Sequence, residues 1–399
     1  MKRLLLLGGS RYAIPVIEAA HKLNIYVITC DYLPDNIAHK YSDEYANVSI
    51  IDKDAVLKKA KELKINGVMS FGCDPGVVTA AYVAEKMGLP SVGSFEAVSI
   101  LQNKGKFRKF LADNGFNVPI AKSYTCIDDA MQDVDIFNWP IIVKPTDSAG
   151  SKGVTRVDDK EKLRTAIENA LHYSHCDEFI IEDFLEQKGF SSDCDSFSID
   201  GKMVFYGFDS QRFDKNAENP YTPSAYSWPS SISDVHQEEL KKELQRLVSL
   251  LKLKTSVYNI ETRECINGKS YIMEFAPRGG GNRLSEMIRI VTGVDMITNA
   301  VKYAVGLPID EIKQEPLRFN LAEIILHSKN AGIFDKLWIS EEIKENILEE
   351  DLWIVSGEQV GSFKGANEAI GTLVLKFDNP IDMEKVMSDQ EKYIKVIIR

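Results

Sequence analysis

No Cys-x-x-Cys pair occurs in this chain. Its six cysteines (Cys30, Cys73, Cys126, Cys176, Cys194, Cys265) are scattered through 399 residues. That spacing excludes a zinc ribbon and argues against a disulfide scaffold, and it suits a reducing compartment. No apolar run is long enough to span a bilayer. The opening MKRLLLLGGSRYAIP has a basic start but too short an apolar stretch for a signal peptide. A cytoplasmic protein is expected. Basic charge is also scarce: Lys+Arg 48 against Asp+Glu 59 gives a net charge of −11. This balance argues against bulk binding to nucleic acid or to an anionic membrane. Two nucleotide fingerprints are missing as well. The Gly8-Gly9-Ser10 turn is not a GxGxxG, so a nicotinamide or flavin site is poorly supported, although Asp31 ends the second strand. The Gly/Ser stretch at 147–153 is not a GxxxxGK[ST] loop.

What is present is a globular composition, 44% hydrophobic and 27% charged. The length predicts two or three domains. Arg3 to Leu7 predicts a buried parallel strand. A helix over Tyr12 to Leu23 and a strand over Ile25 to Cys30 follow, which opens a doubly wound α/β unit. Helices over Val56 to Leu63 and Val77 to Met87 flank a strand at Gly67 to Phe71. The segment 102–119 is locally basic, with Lys104, Lys106, Arg108 and Lys109 on a helix that carries an apolar stripe at Phe107, Phe110 and Leu111. For most of those charges a solvated face is expected. Next, Ile141 to Val143 delivers Lys144, and a Gly/Ser turn between strands can fold its N–H groups over phosphate. Glu178 to Leu185 predicts an apolar strand ending in carboxylates, and 190–208 a β-meander turning at Asp200-Gly201. Residues 209–231 predict a long irregular stretch, and Asp234 to Leu251 an amphipathic helix. From Leu317 onward the chain is strand-rich with a final helix.

The segment that organises the rest is Tyr258 to Arg278, YNIETRECINGKSYIMEFAPR. Asn267-Gly268 predicts a two-residue type I′ turn. That register sets Glu261 opposite Glu274, on one face with Asn259, Arg263 and Cys265. Ile260, Thr262, Tyr271, Met273 and Phe275 fall on the other face, as core. Opposed like charges destabilise a sheet. At roughly 5 Å and an effective dielectric near 20, two carboxylates repel by about 3 kcal/mol. A cation between them is expected, and oxygen-only ligation suits Mg²⁺.

Taken in order, these pieces resemble the ATP-grasp superfamily of carboxylate–amine ligases. The nearest likeness is to the branch of carbamoyl-phosphate synthetase, biotin carboxylase, the purine carboxylases and the L-amino-acid ligases. The resemblance covers roughly residues 1–305 and implies a fold of mixed α/β and α+β class. It implies an N-terminal doubly wound α/β (pre-ATP-grasp) domain at 1–98, an ATP-grasp domain at 99–305 with a mobile lid near 120–188, and a strand-rich C-terminal α+β region at 306–399. By position, Lys104 and Lys144 resemble the lysines that bind the ATP phosphates. Ser148, Gly150, Ser151 and Gly153 belong to the stretch resembling the phosphate lid. Glu182 resembles the residue at the adenine amino group, and Asp183 and Leu185 the adenine hinge. Glu261 and Glu274 match the magnesium pair, with Mn²⁺ as an alternative metal. Arg278 resembles the arginine that holds a substrate carboxylate or acyl-phosphate, and it is assigned to catalysis with Lys144. Two departures stand out. Gly189 occupies the usual place of the ribose-binding acid, where Glu186 is the substitute at hand. Ala276 replaces a metal-binding Asn, as in the purine carboxylase variant. The implied reaction joins a small carboxylate, such as an amino acid, to an amine through an acyl-phosphate, using ATP. A carboxylase or purine-biosynthetic enzyme of the same fold, and a nucleotide-binding protein without ligase chemistry, are the alternatives. Small-molecule substrates are the expected partners, and a homodimer is left open.

Overall fold

The computed structural model describes residues 1–148 and 150–399. Ala149, inside the expected phosphate loop, lies outside them. The first unit is a four-stranded parallel sheet in the order Glu44–Asn47, Tyr26–Asp31, Arg3–Leu7, Gly67–Ser70. Leu4 to Leu7 are all fully buried. Strands covered on both faces need such a continuous apolar run, because successive side chains alternate sides. Leu4 and Leu6 pack with helix Ile14–Lys22 and with residues of the distant helices Leu284–Thr292 and Met296–Ala304. Leu5 and Leu7 pack with helices Lys53–Leu63 and Val77–Met87.

Two further four-stranded sheets follow. One runs Ala121–Tyr124, Phe179–Asp183, Ile141–Pro145, Thr155–Val157, and it packs on helix Leu163–Tyr173. The other runs Lys202–Phe205, Ser192–Ile199, Ser256–Glu264, Ser270–Ala276. Helix Asp234–Leu250 covers it through Leu240, Leu244, Leu247 and Val248. The C-terminal region holds a three-stranded sheet and contributes three strands of a five-stranded one. Among the described residues no helix is long and apolar enough to cross a membrane.

Two expectations are corrected. Residues 209–231 are not one irregular stretch. Ser210–Phe213 and Pro223–Trp228 pair antiparallel, and the second joins strand Asn320–Leu326. Their polar side chains are buried and partnered: Arg212 bonds Ser227 and Glu384, and Gln211 bonds Ser191 and Asp193. An apolar-alternation rule does not register a strand of that kind. The chain also ends on a strand, Ile394–Ile398, after helices Pro380–Met387 and Gln390–Tyr393.

The first sheet is seated closely on the rest. A Cβ at Gly67 would lie 2.1 Å from the Ala304 carbonyl oxygen. Gly67→Ala therefore has to push the sheet edge off helix Met296–Ala304. We expect a loss of roughly 1–3 kcal/mol, read as a lower urea midpoint; an unchanged midpoint would contradict that seating.

Candidate functional site

The hairpin has the expected pairing at its chemical centre but reaches it by a different route. Glu261 does face Glu274. However, only Gly268 takes a left-handed φ, of 74°. The Gly268 N–H donates to the Cys265 carbonyl, and the Cys265 N–H to Lys269, each at 3.0 Å. The loop is thus a turn over Ile266 and Asn267 closed by a left-handed glycine, not a two-residue I′ turn. It shifts the register near the loop by one residue, so Arg263 faces Tyr271 and Thr262 faces Ile272. An extra residue at Met273 restores the register before Glu274, as a β-bulge does. The bulge also changes the faces. Tyr271 and Met273 leave the expected core and cluster with Cys265 and Leu185, while Ile272 joins Ile260 and Phe275.

The two lysines converge on this hairpin. Lys104 opens helix Lys104–Asp113, which is capped by the Asn103 side chain. Its ammonium donates to the Ser148 carbonyl at 2.9 Å and lies 3.4 Å from Glu274. Lys144 and Ile142 share a face of strand Ile141–Pro145, and Glu182 stands opposite Ile142. Lys144 accordingly reaches the Glu182 carboxylate at 2.9 Å. Arg108 reaches its other oxygen at 2.8 Å and donates to the Met273 carbonyl at 2.7 Å. This corrects the solvated-face expectation for Arg108, which is 4% exposed. Lys106 and Lys109 are exposed as expected. Burial pushes the Glu182 pKa upward, but Arg108 and then Lys144 outweigh it and bring it down to about 2. Burial pulls the Lys144 ammonium below its ordinary value, and Glu182 pulls it back. For Glu274 the burial effect is overcome by Lys104, Lys144 and Arg108, which lower its pKa.

The other expected residues sort as follows. The Asp183 carboxylate is taken by the backbone and side-chain N–H groups of Asn138, at 2.9 and 2.7 Å. The Leu185 carbonyl accepts from Arg263 at 3.3 Å. Its own N–H makes no hydrogen bond among the described residues. Glu186 is exposed, with its carbonyl bonded to the Ile266 N–H. In the loop, Gly150, Ser151 and Gly153 all take left-handed φ, and the Ser151 hydroxyl donates to the Tyr221 carbonyl at 3.0 Å. Arg278 is buried, bonded to Asp74 at 2.6 Å and to Asn259 at 2.9 Å. The opposed glutamates are already met by protein cations, Glu274 by Lys104 and Glu261 by Arg263 at 3.0 Å.

Sequence reasoning missed the acids behind the hairpin. Asp193 stands opposite Glu261 on the next strand. Burial first, then Glu261, pushes its pKa to about 8. Asp195 is fully buried and accepts from Ser285 and from the Gly280 N–H. Burial raises it to about 6 against those bonds. Pairing the 190–208 meander beside the hairpin in the sequence was the one available signal for Asp193. Arg108 was signalled only by lying next to Phe107 and three residues before Leu111 on the apolar stripe. Among the described residues no group of three or more His, Cys, Asp and Glu is gathered to hold a metal.

Residues 137–286 match the family model of the ATP-grasp domain. The carbamoyl phosphate synthase large chain of Thermotoga neapolitana is 26% identical over 262 residues, covering 65% of this chain and 23% of that protein. The chain thus spans about a quarter of the length of such relatives. An L-amino acid ligase from Bacillus licheniformis superposes with TM-score 0.81 at 19% identity, over 100% of this chain and 99% of that one. Phosphoribosylglycinamide synthetase from Anaerococcus prevotii superposes with TM-score 0.75 at 20% identity, over 100% of both.

Two predictions follow from the buried charges. Arg108→Met leaves Glu182 and the Met273 carbonyl short of a partner, and should cost roughly 3–5 kcal/mol by chemical denaturation; a cost below 1 kcal/mol would mean that Arg108 is dispensable. Asp195 has its pKa raised in the fold, so the folded state binds the extra proton between about pH 4 and 6. Its contribution is present below pH 4 and is lost as pH rises to 6, by at most about 3 kcal/mol. Asp195→Asn should remove that part of the stability–pH slope, and an identical slope in mutant and wild type would refute it.

Proposed function

We propose that this chain, which carries an ATP-grasp domain, is an ATP-dependent carboxylate–amine ligase. The observation that carries the reading is the convergence of Lys104 and Lys144 on the glutamate hairpin, with Lys104 at Glu274 and with Lys144 held by Glu182, which Arg108 also binds. Two ammonium groups beside an ionised, half-exposed glutamate suit a polyphosphate with a hard cation. The donor set fits Mg²⁺: Glu261 and Glu274 offer only oxygen, and Ala276 supplies none. Two protein ligands leave the remaining positions to phosphate oxygens and water. When bound, Mg²⁺ neutralises charge on the transferring phosphoryl group.

The chain's own residues do the rest. Lys104, tied to the Ser148 carbonyl, carries the glycine/serine loop with it and so couples phosphate contact to loop position. Lys144 stands with one anion already at hand, and phosphate gives it a second. Arg278 orients the substrate carboxylate when it exchanges one of its bonds to Asp74 for that group. In the first step a carboxylate oxygen attacks the γ-phosphorus, the bond to the β-phosphate oxygen breaks, and ADP leaves. In the second an amine nitrogen attacks the acyl carbon, the acyl–oxygen bond breaks, and phosphate leaves as the nitrogen sheds a proton. Loop closure keeps water from the acyl-phosphate. Leu185, Cys265, Tyr271 and Met273 cluster together beside the strand end, and we assign them as the apolar floor for the adenine. The similarity to an L-amino acid ligase along the whole chain supports an amino acid as one substrate.

Glu274→Gln tests the assignment. Since Lys104 already offsets the Glu261–Glu274 repulsion, the apo variant should keep its melting temperature or lose a little. MgATP should raise the wild-type melting temperature by mass action. ADP release with amino acids should fall roughly a hundredfold or more in the variant. Normal turnover in Glu274→Gln would sink the metal assignment. ADP release driven by bicarbonate and indifferent to amines would replace the ligase with a carboxylase.

A further inference from the structure

Beyond the Gly279 to Gly281 turn lies a polar cluster that the phosphate chemistry does not use. Tyr12 of the first unit donates to Asn282 at 2.8 Å, and Asn282 donates to the Tyr226 hydroxyl at 3.1 Å. Arg283, next along, holds Glu349 at 2.7 Å and Thr372 at 2.8 Å, with Glu286 at 3.5 Å. Both Asn282 and Arg283 stand at left-handed φ, 48° and 59°. The remaining member is Glu323 on strand Asn320–Leu326. It is 0% exposed, and neither carboxylate oxygen has a hydrogen-bond partner among the described residues. Alternation along the strand turns Leu321, Glu323 and Ile325 together, and Leu321 and Ile325 pack in the core that contains helix Leu284–Thr292.

A buried carboxyl without a partner is rare and costly. Protonation removes its charge but leaves a hydroxyl and a carbonyl still unpaired. The nearby guanidinium of Arg283 does not relieve it: Arg283 binds Glu349 and Glu286, and not Glu323. The cluster adjoins a cleft of about 680 Å³ lined by Ser10, Arg11 and Tyr12 on one side and by Trp353 and residues 366–370 on the other. Tyr12 belongs to both cleft and cluster. Ser10 Oγ is a second buried oxygen there with no partner. Arg11 stacks on Trp353 at 4.6 Å and so stays at the cleft wall. What the interior lacks is a cation that also donates hydrogen bonds.

We propose that Glu323, with Tyr12 beside it, seats the ammonium group of an amine-bearing substrate that enters by this cleft. The inference rests on the ligase reading and narrows it: the substrate is an amino acid or similar small amine, not bicarbonate. Asn282 and Tyr226 lead from this seat towards Gln211 and Asp193, which faces Glu261. A continuous run of paired polar side chains thus links the ammonium seat to the glutamate hairpin.

The test is a thermal-shift titration of the full chain with magnesium and a non-hydrolysable ATP analogue. The probes are the twenty L-amino acids singly, ethylamine, propionate and bicarbonate. At least one amino acid should raise the melting temperature. Glu323→Gln should weaken that response tenfold or more and leave the response to the analogue unchanged. A parallel response to ethylamine, lost in the same variant, would assign the effect to the ammonium group alone. Tyr12→Phe, which keeps the ring, should weaken the same response, and it keeps the test open if the Glu323 variant does not fold. Amino-acid binding of equal strength in wild type and variants would overturn the proposal. So would stabilisation by propionate or bicarbonate without any by amines, and so would the absence of any amine response. Loss of the analogue response in the wild type would instead strike the ligase reading itself.

Discussion

The Glu182 carboxylate lies between two cations in a place where water does not reach. Arg108 holds one oxygen and Lys144 the other, and all three residues are buried. Such a triad is weak evidence for stability, because desolvation offsets most of the Coulombic gain. It fixes position. Arg108 stands on the helix after the first unit, Lys144 and Glu182 on adjacent strands of the second sheet, and the Arg108 guanidinium continues to the Met273 carbonyl. One carboxylate thus ties the helix, the sheet and the glutamate hairpin into a single frame. Lys104, one helical turn before Arg108, is aimed at Glu274 by the same frame.

Charge is divided across the site. Lys104, Arg108 and Lys144 stand on one side, around Glu182 and Glu274. Asp193 and Asp195 lie on the strand beside the hairpin, Asp209 accepts from the Asp193 N–H, and burial raises all three in pKa. Arg278 sits at the boundary, tied to Asp74 on the first unit. A chain with a net charge of −11 can gather cations in one place only by such local segregation, and bulk charge therefore says nothing about a local anion site.

Much of this was legible in the sequence, and the failures have physical causes. The parallel strand at Arg3–Leu7 declared itself through an unbroken apolar run. The Glu261–Glu274 pairing came out right because two departures from the ideal hairpin cancel. Gly268 alone supplies the left-handed φ, which shifts the register by one, and the Met273 bulge shifts it back. A turn rule cannot see the bulge, so Tyr271 and Met273 were put on the wrong face. Strands Ser210–Phe213 and Pro223–Trp228 were missed because their buried residues include Ser, Gln and Arg, paired with partners more than ten residues away. Arg108 was set in solvent with its basic neighbours, since nothing local distinguishes a lysine that reaches water from an arginine that meets a buried glutamate.

The triad also constrains the strand end beyond it. Each Glu182 oxygen meets one cation, which leaves further acceptor capacity on the carboxylate. The Asp183 side chain is taken by Asn138. What remains uncommitted along the strand end is backbone, above all the Leu185 N–H. A main-chain edge of this kind is only as fixed as the strand that carries it, and Glu182 fixes the strand by binding Lys144 on the neighbouring strand and Arg108 on the helix. One carboxylate therefore positions Lys144 and the free backbone at Leu185 together.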